Sequence, residues 1–334
     1  MKAAVIGCGN ISRVHLRVLE SIDGVEIAGV ADIKPERARE AAEKYGANAY
    51  SSLTQLLEAE KPDVVHICTP HYLHTSMAVE ALEAGANVFV EKPCSVTEEE
   101  AEILLAAQKK SGKQLGVCFQ NRYNSCVQYV KNKVDSGELG AVKAIRAFVT
   151  WSRGADYYSD DWHGTLDKEC GGVLINQAIH TVDLVQYLGG GCRSLSSHIS
   201  NDHLKGIIEV EDNASVLMKL GCGGTALLYA TTAYGENAGV FVEVLFEKGK
   251  LRFEGDKLFS IGEKGSISEI EVPASAVCHG KSYWGSGHSL IINDFYDCIA
   301  TGRKFDLDAF EGGKAAKIVA ACYRSAATGD SVIL

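Results

Sequence analysis

The 334 residues exceed what one hydrophobic core usually serves, so two domains are expected. With 33 basic against 43 acidic side chains the formal charge is −10, which argues against a phosphate backbone as partner. A chain 46% hydrophobic and 23% charged has an ordinary globular balance, which excludes extended disorder. The eleven cysteines are odd in number, scattered and without a CxxC pair, so neither a disulfide ladder nor a zinc ribbon is expected. Cys8, Cys68, Cys118 and Cys298 lie in apolar stretches, where a reduced thiol serves as a small hydrophobe. Residues 2–6 run straight into a glycine turn, leaving no room for a signal peptide, and no apolar run approaches the roughly 20 residues of a membrane helix. These features predict a cytoplasmic chain with no membrane or nucleic-acid partner.

Over residues 1–119, short apolar runs at 3–6, 26–30, 64–68, 87–90 and 115–119 alternate with amphipathic stretches at 13–19, 36–45, 53–59 and 76–84. The runs are continuous, as in strands buried on both faces of a parallel sheet. Thr97, with Glu100 three residues later, is a capping box for a helix running through Gln108. The alternation predicts right-handed crossovers and a doubly wound α/β domain.

On that scaffold Gly7-Cys8-Gly9-Asn10-Ile11-Ser12 follows the first strand and opens the first helix. There, backbone N–H groups and the helix dipole can bind a pyrophosphate. Ser12 stands where the dinucleotide fingerprint has its third glycine. The second strand ends at Ala31-Asp32, about 20 residues on, where the fingerprint requires a carboxylate for the adenosine ribose. A Rossmann domain is therefore predicted. Asp32 would repel a 2′-phosphate and favour NAD over NADP, although Lys34 and Arg37 are close in sequence.

Two further motifs close strands, Cys68-Thr69-Pro70-His71 and Glu91-Lys92-Pro93. Ligands of open parallel sheets bind at such carboxyl ends, which places Lys92 near the cofactor. His71 and His74 lack a third ligand nearby, so no metal site is expected.

Residues 120–334 read as an α+β domain. A helix from near 124 precedes strand-like runs at 142–151, 196–201, 214–220, 225–232, 239–247, 250–254 and 268–272, separated by hairpin-like glycines, which predicts an antiparallel sheet. Helices are expected at 288–300 and 308–326. A further helix is read across 171–183, with Asn176, His180 and Asp183 at i, i+4 and i+7 on a polar stripe and Leu174, Ile175, Ala178, Val182 and Val185 opposite. By spacing alone such a stripe is more often a solvated face than a site. Upstream, Tyr157, Tyr158 and Trp162 offer either flat faces for a sugar ring or an ordinary surface loop.

The turn 7–12, Ala31-Asp32, Cys68-Thr69-Pro70, Glu91-Lys92-Pro93, Asn121-Arg122 and Gly171-Gly172…Asn176…His180…Asp183 occur in one order across most of the chain. As a set they resemble the glucose–fructose oxidoreductase/inositol dehydrogenase/MocA family. The resemblance implies a large open C-terminal sheet that often serves as an oligomer interface, here a homodimer or homotetramer. It implies that Lys92 lies beside the nicotinamide and the substrate hydroxyl, that Thr69 and Pro70 flank the nicotinamide ribose, and that His74 and Glu91 join the cofactor set. His180 is implied as general base, with either His180 or Lys92 able to accept the proton. Arg122, Tyr158, Trp162, Asn176 and Asp183 are expected substrate-side residues, Asn176 also standing in the catalytic set with Lys92 and His180, and Asp183 orienting His180 or a substrate hydroxyl. Relatives similar to inositol dehydrogenase carry Asp where this chain has Asn176, so a charge pair is expected to be absent, and Asn176→Asp is expected to raise the pH at which the base titrates. The implied activity is NAD(P)-dependent oxidation of a secondary alcohol on a sugar, sugar derivative or cyclitol. Its rivals are a redox-neutral enzyme that oxidises its substrate only transiently, and a non-catalytic dinucleotide-binding regulator that would not require Lys92 and His180 together.

Overall fold

The computed structural model describes residues 1–262, 264–273 and 287–334. These fall into two compact units, one of residues 1–120 and 288–313, the other of residues 121–273, 287 and 314–334.

The first unit is built on six parallel strands, β1 (Lys2–Ile6), β2 (Glu26–Ala31), β3 (Asn48–Tyr50), β4 (Val64–Ile67), β5 (Asn87–Val90) and β6 (Leu115–Val117). Their order is β3-β2-β1-β4-β5-β6, so β1 is flanked by β2 and β4 and the strand order reverses there. In an open α/β sheet the crevice outside the carboxyl ends at this reversal is where a ligand binds. The connecting helices are α1 (Ser12–Glu20), α2 (Pro35–Tyr45), α3 (Leu53–Glu60), α4 (His74–Glu83) and α5 (Glu98–Ser111). Thr97 caps α5 by accepting the Glu100 N–H at 3.1 Å. The Glu100 carboxylate reaches Val96 N instead of closing the expected box. The edge strand β3 escaped the sequence reading because its three residues are short, half-polar and at least partly exposed.

A single cut near residue 119 does not describe the units. The helix α8 (His288–Thr301) packs its buried Phe295 and Tyr296 into the first unit. Phe295 lies against Phe89, and Gly116 makes room for it, since a Cβ there would sit 2.8 Å from the Phe295 ring. Val117 N also donates to Leu307 O at 2.9 Å, tying the chain beyond α8 to β6.

The second unit begins with α6 (Ser125–Ser136) and carries nine strands, β7 (Val142–Thr150), β8 (Cys192–Ser200), β9 (Asn213–Leu220), β10 (Thr225–Thr231), β11 (Phe241–Phe246), β12 (Gly249–Glu254), β13 (Lys257–Ile261), β14 (Ile267–Ile270) and β15 (Val332–Ile333). They run in the order β14-β13-β12-β11-β7-β10-β9-β8-β15. Only the β7–β10 pair is parallel, so the sheet is mainly antiparallel, as expected. Burial alternates along β9, giving one core face and one open face on which Leu217, Leu227 and Leu245 stay exposed. The helices α7 (Ile179–Gly189) and α9 (Ala309–Thr328) complete the elements. Among the described residues, no helix is long and apolar enough to cross a membrane.

Candidate active site

In the first unit the turn after β1 is shaped by close approach. Gly7 has φ +87°, and a Cβ on it would lie 2.6 Å from the Cys68 carbonyl oxygen. Only glycine lets the turn and the end of β4 come so near. Gly9 differs, because a Cβ there would meet nothing within 4 Å. No protein atom demands that glycine, whereas a phosphate approaching the backbone would. Gly9, Asn10 and Ile11 are reachable, between buried Cys8 and buried Ser12 at the start of α1. Ser12, in place of the third glycine, donates its hydroxyl to Gly9 O at 2.7 Å and so helps close the turn. Asp32 is buried at the end of β2, where its two carboxylate oxygens accept Cys8 N–H and Lys34 N–H at 2.7 and 2.8 Å. The carboxylate thus fixes the turn and stands where a ribose hydroxyl would be received. These residues fit a dinucleotide, with its pyrophosphate at the N-terminus of α1.

His74 takes a different part from the one expected. It is buried, with Nδ1 2.7 Å from Pro93 O and Nε2 2.7 Å from Thr69 O. His74 thus sits between the Thr69-Pro70 turn and the Glu91-Lys92-Pro93 turn, a neutral ring donating to one of the two carbonyls and an imidazolium to both. Burial pushes its imidazolium form to lower pH, outweighing the two carbonyl acceptors. Glu91 also turns inward: Oε1 lies 2.9 Å from His15 Nε2, and Oε2 accepts the Lys92 backbone N–H at 3.2 Å. Cys118 Sγ lies within 4.8 Å of both His15 and Glu91. The 2.9 Å contact has the length of a shared proton; two donors on one tetrahedral ion would stand about 3.3 Å apart. Across residues 88–95 every residue is buried except Lys92.

In the second unit, the helix expected across 171–183 starts only at Ile179, and Asn176 lies in the turns before it. The cause is Glu211, whose buried carboxylate accepts Gly172 N–H and Leu174 N–H at 2.9 and 3.0 Å and also takes the Tyr323 hydroxyl. The paired glycines are demanded by the same contacts. A Cβ on Gly171 would lie 2.1 Å from the Tyr323 hydroxyl, and one on Gly172 would lie 2.0 Å from Glu211 O. Nor does a solvated stripe exist: across residues 171–186 every residue is buried except His180, in the first turn of α7.

Asp183 and Arg122, both expected on the substrate side, are paired with each other. They bind each other in a buried fork, Nε to Oδ2 at 2.7 Å and Nη2 to Oδ1 at 2.6 Å. Gln186 donates to the same carboxylate and the guanidinium lies 4.2 Å from the Tyr187 ring centre, so Asp183 anchors the segment after residue 120. Tyr158 is likewise turned inward, packing on Leu204, Ile208 and Val210, and burial pushes its hydroxyl up to about 12. Trp162 is half-buried with its ring 3.8 Å from that of His163.

The sequence reading overlooked Glu169. Its buried carboxylate accepts the Asn176 side-chain N–H on one oxygen and the Gly164 backbone N–H on the other. Asn176 Nδ2 also approaches the Tyr157 hydroxyl at 3.3 Å, and burial and Glu169 together push that hydroxyl up. A carboxylate therefore does stand beside position 176, supplied from seven residues upstream. No pattern marks Glu169 in the sequence, since a buried carboxylate looks like a surface one until its donors are seen.

Comparison with known proteins bears on the family and the fold. A family model described as an oxidoreductase family with an NAD-binding Rossmann fold matches residues 1–119, and the GFO/IDH/MocA C-terminal domain matches residues 127–252. The chain is 26% identical to D-apiose dehydrogenase of Paraburkholderia graminis over 100% of this chain and 89% of that protein. It is also 26% identical to the NAD⁺-dependent scyllo-inositol 2-dehydrogenase of Bacillus subtilis, over 92% and 90%. Among solved structures, the WlbA dehydrogenase of Chromobacterium violaceum, in complex with NADH and UDP-GlcNAcA, superposes with TM-score 0.87 at 30% identity, covering 100% of this chain and 96% of that one.

Proposed function

The chain belongs to the GFO/IDH/MocA family of NAD-binding oxidoreductases, and from that premise we propose that it oxidises a secondary alcohol of a sugar, sugar derivative or cyclitol. The observation that carries the reading is the isolation of Lys92 and His180, each the one partly exposed side chain in a run of otherwise buried residues. Packing does not require a reachable cation in one run and a reachable imidazole in the other, whereas alcohol oxidation requires a proton acceptor and a partner for the developing oxyanion. The relatives support the substrate class: apiose, scyllo-inositol and a nucleotide sugar are all carbohydrate-like.

When bound, NAD supplies the hydride acceptor. Gly7, Gly9, Asn10 and Ile11 would hold its pyrophosphate, Asp32 its adenosine ribose, and Thr69 and Pro70 its nicotinamide end. Asp32 favours NAD over NADP. Lys92 donates a hydrogen bond to the reacting oxygen and stabilises the charge that develops there. His180 accepts the hydroxyl proton on a ring nitrogen. Asn176, oriented by Glu169, contributes an amide to the substrate set, with Trp162 as an aromatic contact. The open face of the nine-stranded sheet, where Leu217, Leu227 and Leu245 stay exposed beside the Arg146–Glu243 pair, is the surface we assign to a second copy of the chain. A reducing, cytoplasmic setting agrees with the buried thiols of Cys8, Cys68 and Cys118, which burial pushes up and keeps neutral.

The test is absorbance at 340 nm with NAD⁺ and then NADP⁺ across polyols, inositols, aldoses, uronates and nucleotide sugars. A rise with one group, absent in Lys92→Met, is expected. No rise with any of them, from protein that binds NADH, would overturn the reading in favour of redox-neutral chemistry.

A further inference from the structure

Behind Lys92 stand buried titratable groups that the proposed reaction does not use. Tyr296 on α8, His66 on β4, His15 on α1 and Glu91 after β5 are joined in series. The Tyr296 hydroxyl lies 3.1 Å from His66 Nε2, His66 Nδ1 lies 2.9 Å from His15 Nδ1, and His15 Nε2 lies 2.9 Å from Glu91 Oε1. Both rings are fully buried, and Glu91 closes the series by accepting the Lys92 backbone N–H on its other oxygen.

Counting protons fixes the direction of this chain. An ionised carboxylate only accepts, so His15 donates from Nε2. A neutral His15 then has a lone pair at Nδ1, which must take the His66 Nδ1–H. That leaves the His66 Nε2 lone pair to take the Tyr296 hydroxyl proton. With neutral rings no other arrangement satisfies the chain, and every donor points toward Glu91. Adding one proton to His15 makes it donate on both sides, reverses His66, and cancels the negative charge behind Lys92.

We propose that Tyr296, His66 and His15 form an ordered donor chain that holds Glu91 as a fixed carboxylate behind Lys92, making His15 and His66 positioning residues for that lysine. The inference deepens the function proposed above and rests on Lys92 taking part in it. Leaving a lone carboxylate buried is costly unless donors and a counter-charge reach it. Burial pushes Glu91 up, but the His15 hydrogen bond, with Lys92 beyond it, more than offsets that and holds it well below the usual carboxylate range. Burial keeps His66 neutral. The groups facing the carboxylate are His15 from α1, Cys68 after β4, Cys118 after β6, His288 from α8 and Lys92 itself, with His66 behind His15. Burial pushes both thiols well above their ordinary range, so neither supplies charge near neutrality. The carboxylate is then what Lys92 titrates against, and an ammonium so placed keeps its proton to higher pH.

The experiment reads the lysine directly, without substrate or cofactor. The intact protein is acetylated competitively with trace acetic anhydride across the pH range, and labelling of Lys92 is quantified by mass spectrometry. Glu91→Gln should lower the midpoint for Lys92 by about one pH unit or more. His15→Leu should move it in the same direction. His15→Gln should restore it, because the amide still donates to Glu91 and still accepts from His66. An unmoved midpoint in Glu91→Gln overturns the proposal, as does a His15→Gln protein that behaves like His15→Leu. If His15→Leu does not fold, the other two variants decide. Retained turnover in Lys92→Met would strike the proposed reaction and leave this titration standing.

Discussion

The two reachable side chains are held from behind in contrasting ways. Lys92 is backed by imidazoles and a hydroxyl that pass hydrogen bonds to one another before reaching Glu91. His180 lies in a unit whose buried carboxylates are satisfied at once by groups that do not titrate near neutrality. Glu211 takes two backbone N–H groups, Glu169 an amide and a backbone N–H, and Asp183 a guanidinium. The first unit can change charge within its interior by moving a proton, whereas the second is fixed by permanent donors. The fold accounts for the difference. A parallel sheet brings its chemistry to short turns at strand ends, so its support comes from neighbouring strands and helices. The loop segment around 151–178 pairs with the chain after β10 only at its start, through Trp151 and Arg153, and farther on it is tied down by the carboxylates of Glu169 and Glu211.

The comparison breaks most severely if either side chain proves dispensable. Lys92→Met and His180→Ala should each lower kcat by about a hundredfold or more while NADH binding, followed by fluorescence, stays near that of the unaltered protein. A variant that turns over normally removes that side chain from the reaction.

The next largest effect concerns stability. Arg122→Ala leaves the Asp183 charge buried without its fork, at a cost of about 3–5 kcal/mol, measured from the urea midpoint. The exposed Lys110–Glu83 pair of the first unit should cost less than about 1 kcal/mol when cut. Equal costs would mean that the second unit does not depend on its permanent pairs.

Asn176→Asp tests the same contrast through pH. The sequence predicts that a carboxylate there would simply raise the titration of the base. The structure puts Glu169 against it, and two adjacent buried carboxylates cannot both ionise. The new pair should retain a proton, so the destabilisation grows as pH rises above about 4, by up to about 1.4 kcal/mol per pH unit. A pH-independent cost in urea titrations would show that Asn176 does not face Glu169 in solution.

What the sequence made legible follows the same division. Runs such as 64–68 and 87–90, with glycines at 7 and 9, announced the parallel sheet and its strand-end turns because each signal is local. The strand-end positions of Lys92 and Asp32 were legible for the same reason. The partners of Asp183, Arg122 and Tyr158 were not legible, because each lies far away in sequence and spacing along one helix cannot reveal it. His15 and His66 did leave a trace, a histidine on the apolar face of α1 and another in the middle of the apolar strand β4, which reads in hindsight as a buried pair. Glu169 and Glu211 left none.

A smaller effect separates the units by acidity. Burial holds the folded His66 below its ordinary range, so the unfolded chain binds that proton more readily. The stability due to the neutral ring is complete above about pH 6.5 and is lost as pH falls below it, by up to about 1.4 kcal/mol per pH unit. Glu91 is also depressed, but its contribution is lost only below about pH 4.3, outside this window. Hydrogen exchange between pH 7 and 5 should therefore show peptides of β4 and β5 losing protection before those of β9, where support does not titrate. Parallel loss in both would place the acid-sensitive group outside the histidine chain.

The smallest expected effect on folding is the sharpest on binding. Gly7 cannot be replaced without strain, because of its positive φ and the Cys68 carbonyl, so loss of NAD affinity there would say nothing specific about the ligand. Gly9 has open space where a Cβ would stand and no left-handed backbone to strain. Gly9→Ala should therefore alter the unfolding free energy by no more than about 0.5 kcal/mol. The added methyl would nevertheless stand where the pyrophosphate approaches the backbone, and NADH affinity should fall about tenfold, the equivalent of about 1.4 kcal/mol. Unchanged affinity in a normally folded variant would move the phosphate off this turn, and the reading of Asp32 as the ribose acceptor would fall with it, since that carboxylate is held in place by the turn's own Cys8 N–H.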